Sequence, residues 1–303
     1  MSAEISNSEE LLAMCSRITV SVIVPAYNAE STVADCINSL LKLRYPREQV
    51  EIIVVDNGST DSTSAILASY DAQITVLFEK KRGAAAARNT GLRAAKGETI
   101  AFIDADCIAD PDWLSKLIEP LRNSQIGIVG GRILARGRPN KIEAFGETIH
   151  DHNLSINGSS PPHAMTANCS ARLAVLQSVG FFDEKFLRAQ DCDLSYRVVQ
   201  AGYKLVYEQA AVVYHKNKKT ASGLFMEGYT HGFHSVQLNK KHRMFLRQYG
   251  YGRFSKQSYK TLCSSFINTL LAKSDSARYD FLFNLGKKAG RWCGSLRYLD
   301  FNL

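Results

Sequence analysis

The first third of the chain alternates short runs of β-branched residues with stretches in which apolar residues recur every three or four positions. The short apolar runs predict strands at 18–24, 51–55, 74–78 and 99–103. The amphipathic stretches predict helices at 31–43, 61–70 and 83–95. Strands and helices that alternate in this order form a parallel sheet covered by helices on both faces. We therefore predict an α/β fold whose ligands bind beyond the carboxyl ends of the strands.

Beyond residue 110 the pattern is less regular. Helices are predicted at 112–121, 171–179 and 194–201, and strands at 126–134 and 205–214. A turn-rich loop is predicted at 153–162, where two prolines interrupt regular structure. From residue 220 onward the pattern predicts two or three amphipathic helices.

Charge divides the chain near residue 215. Residues 1–215 contain 21 Lys/Arg and 25 Asp/Glu, a net charge of −4, whereas residues 216–303 contain 16 and 4, a net charge of +12. A strongly basic segment is typical of proteins that contact phosphate, although a solvated helical face has the same composition. We expect an N-terminal extension at 1–17, an α/β body at 18–215 with halves at 18–109 and 110–215, and a basic helical extension at 216–303.

The remaining composition excludes several classes of protein. Hydrophobic residues make up 45% of the 303 positions and charged residues 22%, which is ordinary for a globular protein and excludes a disordered chain. None of the seven cysteines forms a CxxC pair, so we expect reduced thiols and no zinc cluster. With no basic leader at 1–17 and no apolar run of about 18 residues, we expect a cytoplasmic protein whose attachment to a membrane, if any, is peripheral.

Polar side chains follow three of the predicted strands. The first strand runs into Pro25 and Tyr27, the second into Asp56, and the fourth into Asp104 and Asp106. Each of these alone is compatible with a turn, a helix cap or a packed aromatic ring. Because the carboxyl ends of parallel strands lie at one edge of the sheet, these residues are expected to lie close together, which favours a ligand site. Two aspartates two positions apart lie on the same side of an extended chain, and carboxylate oxygens suit Mg²⁺ or Mn²⁺.

Longer runs of sequence resemble a known family. VSVIVPAYNAE, VVDNGSTDST and RGAAAARNTGLRAAKGETIAFIDAD resemble the nucleotide-binding half of family 2 glycosyltransferases, which have the GT-A fold. TANCSARLAVLQSVGFFDE and QDCDLSYRVVQAGYKLVY resemble that family's acceptor half. The resemblance covers about 18–215. It implies a Rossmann-like, mixed but mainly parallel sheet flanked by helices, with a C-terminal helical extension.

The resemblance also implies roles in donor binding. Pro25 and Tyr27 would shape the pocket for the base, and Asp56 would accept a hydrogen bond from the base. Arg88 would lie near the base, and Asp104 would lie beside the ribose and the metal.

The same resemblance implies a divalent metal, Mn²⁺ or Mg²⁺, as cofactor. Asp106 would be the direct metal ligand, and His215, at the end of the last predicted strand, would be a further one. His231 and His234 are weaker candidates, since histidines three apart on a helix are common by chance. For Trp113, which follows the Asp-x-Asp segment, we expect packing in the core.

A second acidic pair stands at Asp191 and Asp193 in AQDCDLSYR. In the family this segment commonly reads Glu-Asp-x-Asp-Leu, and the Asp after the Glu is the usual general base in inverting members. Asp191 matches that position, whereas Gln190 replaces the Glu. Loss of a neighbouring negative charge should favour the ionised form of Asp191. The alternative is that the two aspartates cap the following helix.

The resemblance thus implies a transferase that moves a sugar from a nucleotide diphosphate donor, with UDP-sugars as the first expectation, to a hydroxyl acceptor with inversion. The acceptor is expected to be a saccharide or a lipid-linked intermediate of cell-surface glycan synthesis. Apolar residues interleaved with Lys287, Lys288 and Arg291 suggest contact between 216–303 and an anionic membrane. No nucleic-acid-binding module is recognisable, so no nucleic-acid partner is expected.

Two alternatives stay open. A sugar-phosphate nucleotidyltransferase shares such a sheet and a metal, but it has a glycine-rich loop with Arg or Lys where this chain has PAYNAE. A non-catalytic membrane-surface scaffold on a degenerate transferase fold is the other, and the intact acidic residues argue against it.

Overall fold

A computed structural model describes residues 19–251, 260, 263, 264, 266, 267 and 274–300. The extension predicted at 1–17 and most of 252–273 lie outside the described residues. The described strands are β1 Val20–Ala26, β2 Val50–Asp56, β3 Thr75–Phe78, β4 Thr99–Ile103, β5 Cys107–Ala109, β6 Ile126–Ala135, β7 Asn168–Arg172 and β8 Lys204–His215.

These strands form one sheet in the order β3-β2-β1-β4-β7-β6-β8-β5. Parallel pairs join β3 to β2, β2 to β1, β1 to β4 and β6 to β8. Strand β7 runs antiparallel to both of its neighbours, and β5 runs antiparallel to β8. The predicted mixed, mainly parallel sheet is confirmed.

Helices cover both faces of the sheet. They are α1 Val33–Leu40, α2 Thr63–Ala68, α3 Ala84–Ala94, α4 Trp113–Ile118, α5 Lys141–Ile149, α6 His152–Asn157, α7 Leu173–Ser178, α8 Gln190–Gln200, α9 Ala221–Lys241, α10 Arg243–Gln248 and α11 Asp275–Tyr298. Single 3₁₀ turns lie at Arg47–Gln49 and Glu119–Arg122.

Three of the predicted elements were wrong in part. The helix predicted at 171–179 begins only at α7, because Asn168–Arg172 is a buried strand paired with β4 and β6. Helix α6 occupies the first part of the loop predicted at 153–162, and Asp151 caps it by accepting the Leu154 N–H at 3.1 Å. Helix α8 begins four residues before its prediction, in a polar segment without apolar periodicity. Neither α5 nor β5 was predicted.

Alternate residues of the central strands enter two cores. Val22 and Val24 of β1 pack with α1 and α4 on one face, and Ile23 packs with α7 and α8 on the other. Trp113 is fully buried in the first core, where its Nε1 donates to Asn168 Oδ1 at 2.7 Å. Its predicted packing role is confirmed.

Helices α9 and α11 form a parallel pair that is held together through glycine. A Cβ added at Gly290 would lie 1.9 Å from the carbonyl oxygen of Tyr229, and one at Gly232 would lie 1.9 Å from that of Lys287. The glycines therefore allow the two backbones to touch, which fixes the register of the pair. Within the parts of the chain described, none of the helices has the length and hydropathy of a membrane-spanning segment.

Candidate active site

The loops after β1 and β2 form the first part of the site. The Tyr27 ring is 41% exposed, and the Arg82 guanidinium lies 3.9 Å from its centroid. Asn28, with a φ of 48°, accepts the Thr60 N–H on its Oδ1 at 2.8 Å and so ties the two loops together. An exposed ring at the carboxyl edge of the sheet can stack against a base.

Asp56, the last residue of β2, is buried next to these loops. One of its carboxylate oxygens accepts the Ser59 N–H at 2.9 Å, and the other accepts the Ser64 hydroxyl. Val55, which precedes it, pairs in register with Pro25 of β1. The hydrogen bonds fix the direction of the carboxylate, and each oxygen still has a lone pair free to accept a donor from a ligand.

Arg88 lies behind Asp104 at the end of β4. Its guanidinium donates to Asp104 Oδ1 at 2.6 Å, and the arginine itself is buried whereas the Asp104 side chain is half-buried. Arg88 Nε and Nη1 have no hydrogen-bond partner among the described residues. In this geometry Arg88 positions the Asp104 carboxylate, and the carboxylate is the group that can meet a ligand.

Asp106 and His215 come together through strand pairing. Cys107 of β5 lies opposite His215 of β8, which brings His215 Nε2 to 3.6 Å from Asp106 Oδ1. The Asp106 side chain is 42% exposed. The protein around Asp106 partly removes water from its carboxylate, which raises its pKa. The charge of the nearby His215 opposes that shift.

Asn217 fixes the tautomer of His215. Asn217 Nδ2 donates to the Glu143 carbonyl at 2.7 Å, so its Oδ1 accepts from His215 Nδ1 at 2.6 Å. Nδ1 therefore carries the proton and Nε2 offers its lone pair toward Asp106, the arrangement of a metal-ligating histidine.

The donor atoms of this pair fit a divalent cation. Ligand atoms of Asp106, Cys107 and His215 lie within 4.8 Å of one another. Cys107 is fully buried, and burial raises the pKa of its thiol well above the usual value. A buried neutral thiol does not suit Mg²⁺ or Mn²⁺, so the carboxylate and the imidazole are the groups that could hold such an ion.

His150 and Glu227 extend the metal end of the site, and sequence reasoning did not find them. The His150 ring lies 4.8 Å from that of His215, and His150 Nε2 lies 3.5 Å from Glu227 Oε1. Burial lowers the pKa of His150 to about 3 and raises that of Glu227. The His150 imidazole is therefore neutral near pH 7.

Asp191 lies in the first turn of α8, and its charge acts on the Cys169 thiol of β7, as does that of Asp104. Asp191 Oδ1 accepts the Cys192 N–H at 2.9 Å. Burial lowers the pKa of both His163 and His231, to about 4 for His231, while the negative charge of Asp191 raises both. The charge of Asp191 therefore acts on two imidazoles, one before β7 and one on α9.

Asp193 has a structural role. It is fully buried and forms ion pairs with Lys241 at 2.6 Å and with Arg197 and His242 at 2.8 Å each. Burial alone would raise the pKa of Asp193, but the hydrogen bonds from His242 and Lys241 and the charge of Arg197 lower it to about 2. The cluster ties the turn that carries Asp191 to the C-terminal end of α9.

The structure thus brings the expected donor and metal residues to one edge of the sheet, whereas Asp191 lies on α8, in the part of the chain that follows β7. Arg82 and His163 were missed along with His150 and Glu227. A signal existed only for Arg82, which ends a run of three basic residues directly before α3. The others stand in segments without any recognisable motif.

Comparison with protein families identifies related sequences. The model of glycosyl transferase family 2 matches residues 21–175, and that of glycosyl transferase family group 2 matches residues 99–274. The chain is 30% identical over 202 residues to glycosyltransferase AglE of Haloferax volcanii, which covers 65% of this chain and 66% of the relative. It is 28% identical over 234 residues to poly-beta-1,6-N-acetyl-D-glucosamine synthase of Staphylococcus epidermidis, covering 72% of this chain and 55% of the relative.

Solved structures share the fold. Mannosyltransferase PcManGT of Pyrobaculum calidifontis, in complex with GDP-Man and Mn²⁺, matches with a TM-score of 0.71 and 21% identity over 92% of this chain and 87% of that one. TarS 1-349 of S. aureus, in complex with UDP-GlcNAc, matches with a TM-score of 0.54 and 18% identity over 93% of each chain. Both likenesses confirm the GT-A architecture. Because the first family model alone spans more than half of the sequence, the chain belongs to glycosyl transferase family 2.

Proposed function

We propose that this family 2 glycosyltransferase moves a sugar from a nucleoside diphosphate donor to a hydroxyl acceptor, with inversion at the anomeric carbon. The proposal rests mainly on the Asp106–His215 pair, whose side chains lie 3.6 Å apart at the edge of the sheet where β1, β2 and β4 also end. The acceptor is a saccharide or a lipid-linked intermediate of cell-surface glycan synthesis, by analogy with the activities named for its relatives.

The donor lies along the carboxyl edge of β1, β2 and β4. The base stacks on the Tyr27 ring beside Arg82, and Asp56 accepts a hydrogen bond from the base. Asp104, oriented by Arg88, accepts from the ribose. UDP-sugars are the first donors to test, because a carboxylate at Asp56 can accept the single imide N–H of uracil.

The diphosphate lies beside Asp106 and His215. A bound Mn²⁺ or Mg²⁺ would neutralise the charge that develops on the leaving diphosphate. Asp106 supplies the negative charge that holds such an ion, and Asn217 keeps His215 Nε2 free to bind it.

Asp191 is the general base. As the sugar leaves the diphosphate, the Asp191 carboxylate takes the proton from the attacking acceptor hydroxyl. A general base that activates the acceptor for direct attack on the anomeric carbon gives displacement in one step and hence inversion.

Helix α11 supports a peripheral location on an anionic membrane, at its cytoplasmic face. Leu285, Trp292 and Leu296 are exposed, and their spacing places them on one side of the helix with Arg297 beside them. Apolar side chains flanked by cations are typical of helices that lie in a membrane interface. A lipid-linked acceptor would reach the cleft from that side.

The test is hydrolysis of the donor. UDP release from a panel of UDP-sugars is measured with Mn²⁺, with Mg²⁺ and after chelation by EDTA. We expect slow, metal-dependent release of UDP from one or two donors. A protein that binds neither UDP nor GDP with metal present would contradict the proposal and favour the alternative of a non-catalytic scaffold on a degenerate transferase fold.

A further inference from the structure

Lys216 links the metal end of the site to the loop after β1. It directly follows His215, and its main-chain N–H donates to the carbonyl oxygen of Asp106 at 3.2 Å. The backbone of Lys216 is therefore held beside both residues of the metal pair. Its side chain ends at the loop after β1, where Nζ donates to Ser31 Oγ at 3.2 Å.

Helix α1 begins just after Ser31 and packs beside the carboxyl end of β4. Cys36 Sγ, in the first half of the helix, donates to the carbonyl oxygen of Asp104 at 3.6 Å. The loop from β1 to α1 therefore lies at the same edge of the sheet as Asp104. Along this edge the side chain of Lys216 spans from the metal pair to the loop that also carries Tyr27.

Arg136 offers a comparison, because it follows the neighbouring strand β6 and also reaches α1. Its main-chain N–H donates to the carbonyl oxygen of His215 at 2.9 Å, and its guanidinium forms an ion pair with Asp35 at 2.5 Å. A carboxylate thus neutralises Arg136, whereas the exposed Lys216 meets only a neutral hydroxyl. Among the residues that the structure describes, none places a carboxylate oxygen within ion-pair distance of Lys216 Nζ.

The nature of the Lys216 side chain suits it to phosphate. Its ammonium group has three N–H donors, of which Ser31 takes one and leaves two for other acceptors. Lysine acts on phosphate as a point charge on a flexible stem and needs no fixed pairing geometry. A positive charge without a counter-ion, at the edge of the sheet where a nucleotide would lie, favours the binding of a phosphate group.

We propose that Lys216 binds the diphosphate of the donor on the side that faces α1. The inference rests on the proposed function, because that function brings a diphosphate to Asp106 and His215. Negative charge grows on the diphosphate as the sugar departs, and the charge of Lys216 would stabilise it together with the metal site. The contact with Ser31 keeps the ammonium group at the edge where the diphosphate would lie.

The test compares nucleoside diphosphates with nucleosides on the full chain in buffer with Mn²⁺. UDP is titrated by calorimetry and uridine by ligand-observed NMR, with GDP and guanosine as a second pair. Because the nucleoside has no phosphate, only the diphosphate reports contacts with Lys216. We expect Lys216→Ala to lower the affinity for the diphosphate by at least about 10-fold and to leave that for the nucleoside unchanged. Lys216→Arg should keep most of the affinity, since it keeps the charge.

Two further variants separate phosphate binding from a merely structural role. If Lys216 only braced the loop, Ser31→Ala would remove the same contact and would weaken the binding of diphosphate and nucleoside as Lys216→Ala does. We expect Ser31→Ala to bind both as the wild type does. Lys219→Ala is the matched control, at an exposed lysine of the same segment that lies 3.9 Å from Glu143, and it should bind UDP normally.

The inference is overturned if Lys216→Ala binds the diphosphate as the wild type does, or if its affinity for the nucleoside falls by the same factor. A wild type that binds neither UDP nor GDP would count against the proposed function itself, and the inference would fall with it. Titration of the wild type therefore distinguishes the two failures.

Discussion

Replacement of Asp193 by asparagine tests how the turn that carries the general base is held. The Asp193 carboxylate is fully buried between the side chains of Arg197, Lys241 and His242. Asp193→Asn keeps the size of the side chain and removes its charge, so that Arg197 loses its counter-ion and Lys241 keeps only its ion pair with Asp183. The change touches neither the metal pair nor the donor loops.

The loss in the free energy of unfolding depends on how far Arg197 and Lys241 can be rehydrated once the charge of Asp193 is gone. Breaking a buried ion pair by removing one partner costs about 3–5 kcal/mol. The side chains of Lys241 and Arg197 are 34% and 19% exposed, so both recover part of their hydration. We therefore expect the lower end, a loss of about 3 kcal/mol in the free energy of unfolding. In a domain of this size that corresponds to a fall of about 6 °C in Tm.

The pH dependence gives a sharper signature. Hydrogen bonds from His242 and Lys241 and the charge of Arg197 outweigh burial and lower the pKa of Asp193 from 3.8 to about 2. A carboxylate with a depressed folded-state pKa stabilises the fold above its unfolded value and loses that contribution as the pH falls through the folded value. The difference in unfolding free energy between wild type and Asp193→Asn should be constant above about pH 5 and shrink from about pH 4 toward about pH 2.

Chemical denaturation followed by circular dichroism measures the difference, and Asp183→Asn is the matched control. Asp183 also pairs with Lys241, at 2.8 Å, but on the surface, where side chains 27% and 34% exposed form the bridge. An exposed pair contributes less than about 1 kcal/mol. Equal losses in the two variants, or a difference that does not change below pH 4, would refute the reasoning.

Four further outcomes are expected. Asp106→Asn should lower turnover by at least about 100-fold in Mn²⁺ or Mg²⁺, measured as UDP release. Asp191→Asn should lower transfer by about 10²–10⁴-fold and leave the donor KM unchanged, measured by initial rates. Gly290→Ala should cost about 3 kcal/mol in urea unfolding, because its Cβ would lie 1.9 Å from a backbone carbonyl oxygen. Trp292→Ala should weaken binding to anionic vesicles by about 10-fold in a flotation assay, since it removes an exposed ring from α11.

Control variants distinguish these specific effects from a general loss of folding, and each prediction has a result that would contradict it. Asp112→Asn, at a surface pair with Arg44, should keep full turnover, and Ser276→Ala, at an exposed position of α11, should keep full stability. Near-normal turnover of Asp106→Asn would remove it from the metal site. A donor KM that rises together with the loss of transfer would move Asp191 into the donor pocket. Vesicle binding that survives Trp292→Ala and high salt would leave α11 without a membrane role.

Pro25, Tyr27, Asp56 and Asp104 could be singled out from the sequence because each lies at or just after the end of a strand with a clear apolar run, whereas Arg88 of α3 was added by the resemblance alone. The resemblance alone led us to expect Asp106 and His215 at one metal, and the three-residue β5 that brings them together is too short to leave a pattern in the sequence. The strand Asn168–Arg172 was missed because its polar side chains are buried by its neighbours in the sheet. Burial of that kind depends on tertiary pairing, which local periodicity does not encode.

The C-terminal segment shows a second limit. Lys287 and Lys288 are adjacent and were expected to contact lipid together, yet Lys288 is buried and only Lys287 is exposed. That division follows from the register of α11 against α9. The sequence shows these glycines but not the helix that they contact or its direction, so their role in setting the register could not be predicted.

The backbone contact between α9 and α11 has a consequence for how such a protein can diverge. At Gly228, Gly232, Gly286, Gly290 and Gly294 the position of one helix on the other is determined by main-chain atoms, so it does not depend on which side chains lie around it. His231 and Lys287 can therefore be exchanged for other side chains without shifting the two helices that carry them. The side chains that this helix pair presents can thus change by single substitutions while the packing of the helices persists, provided that these five positions stay glycine.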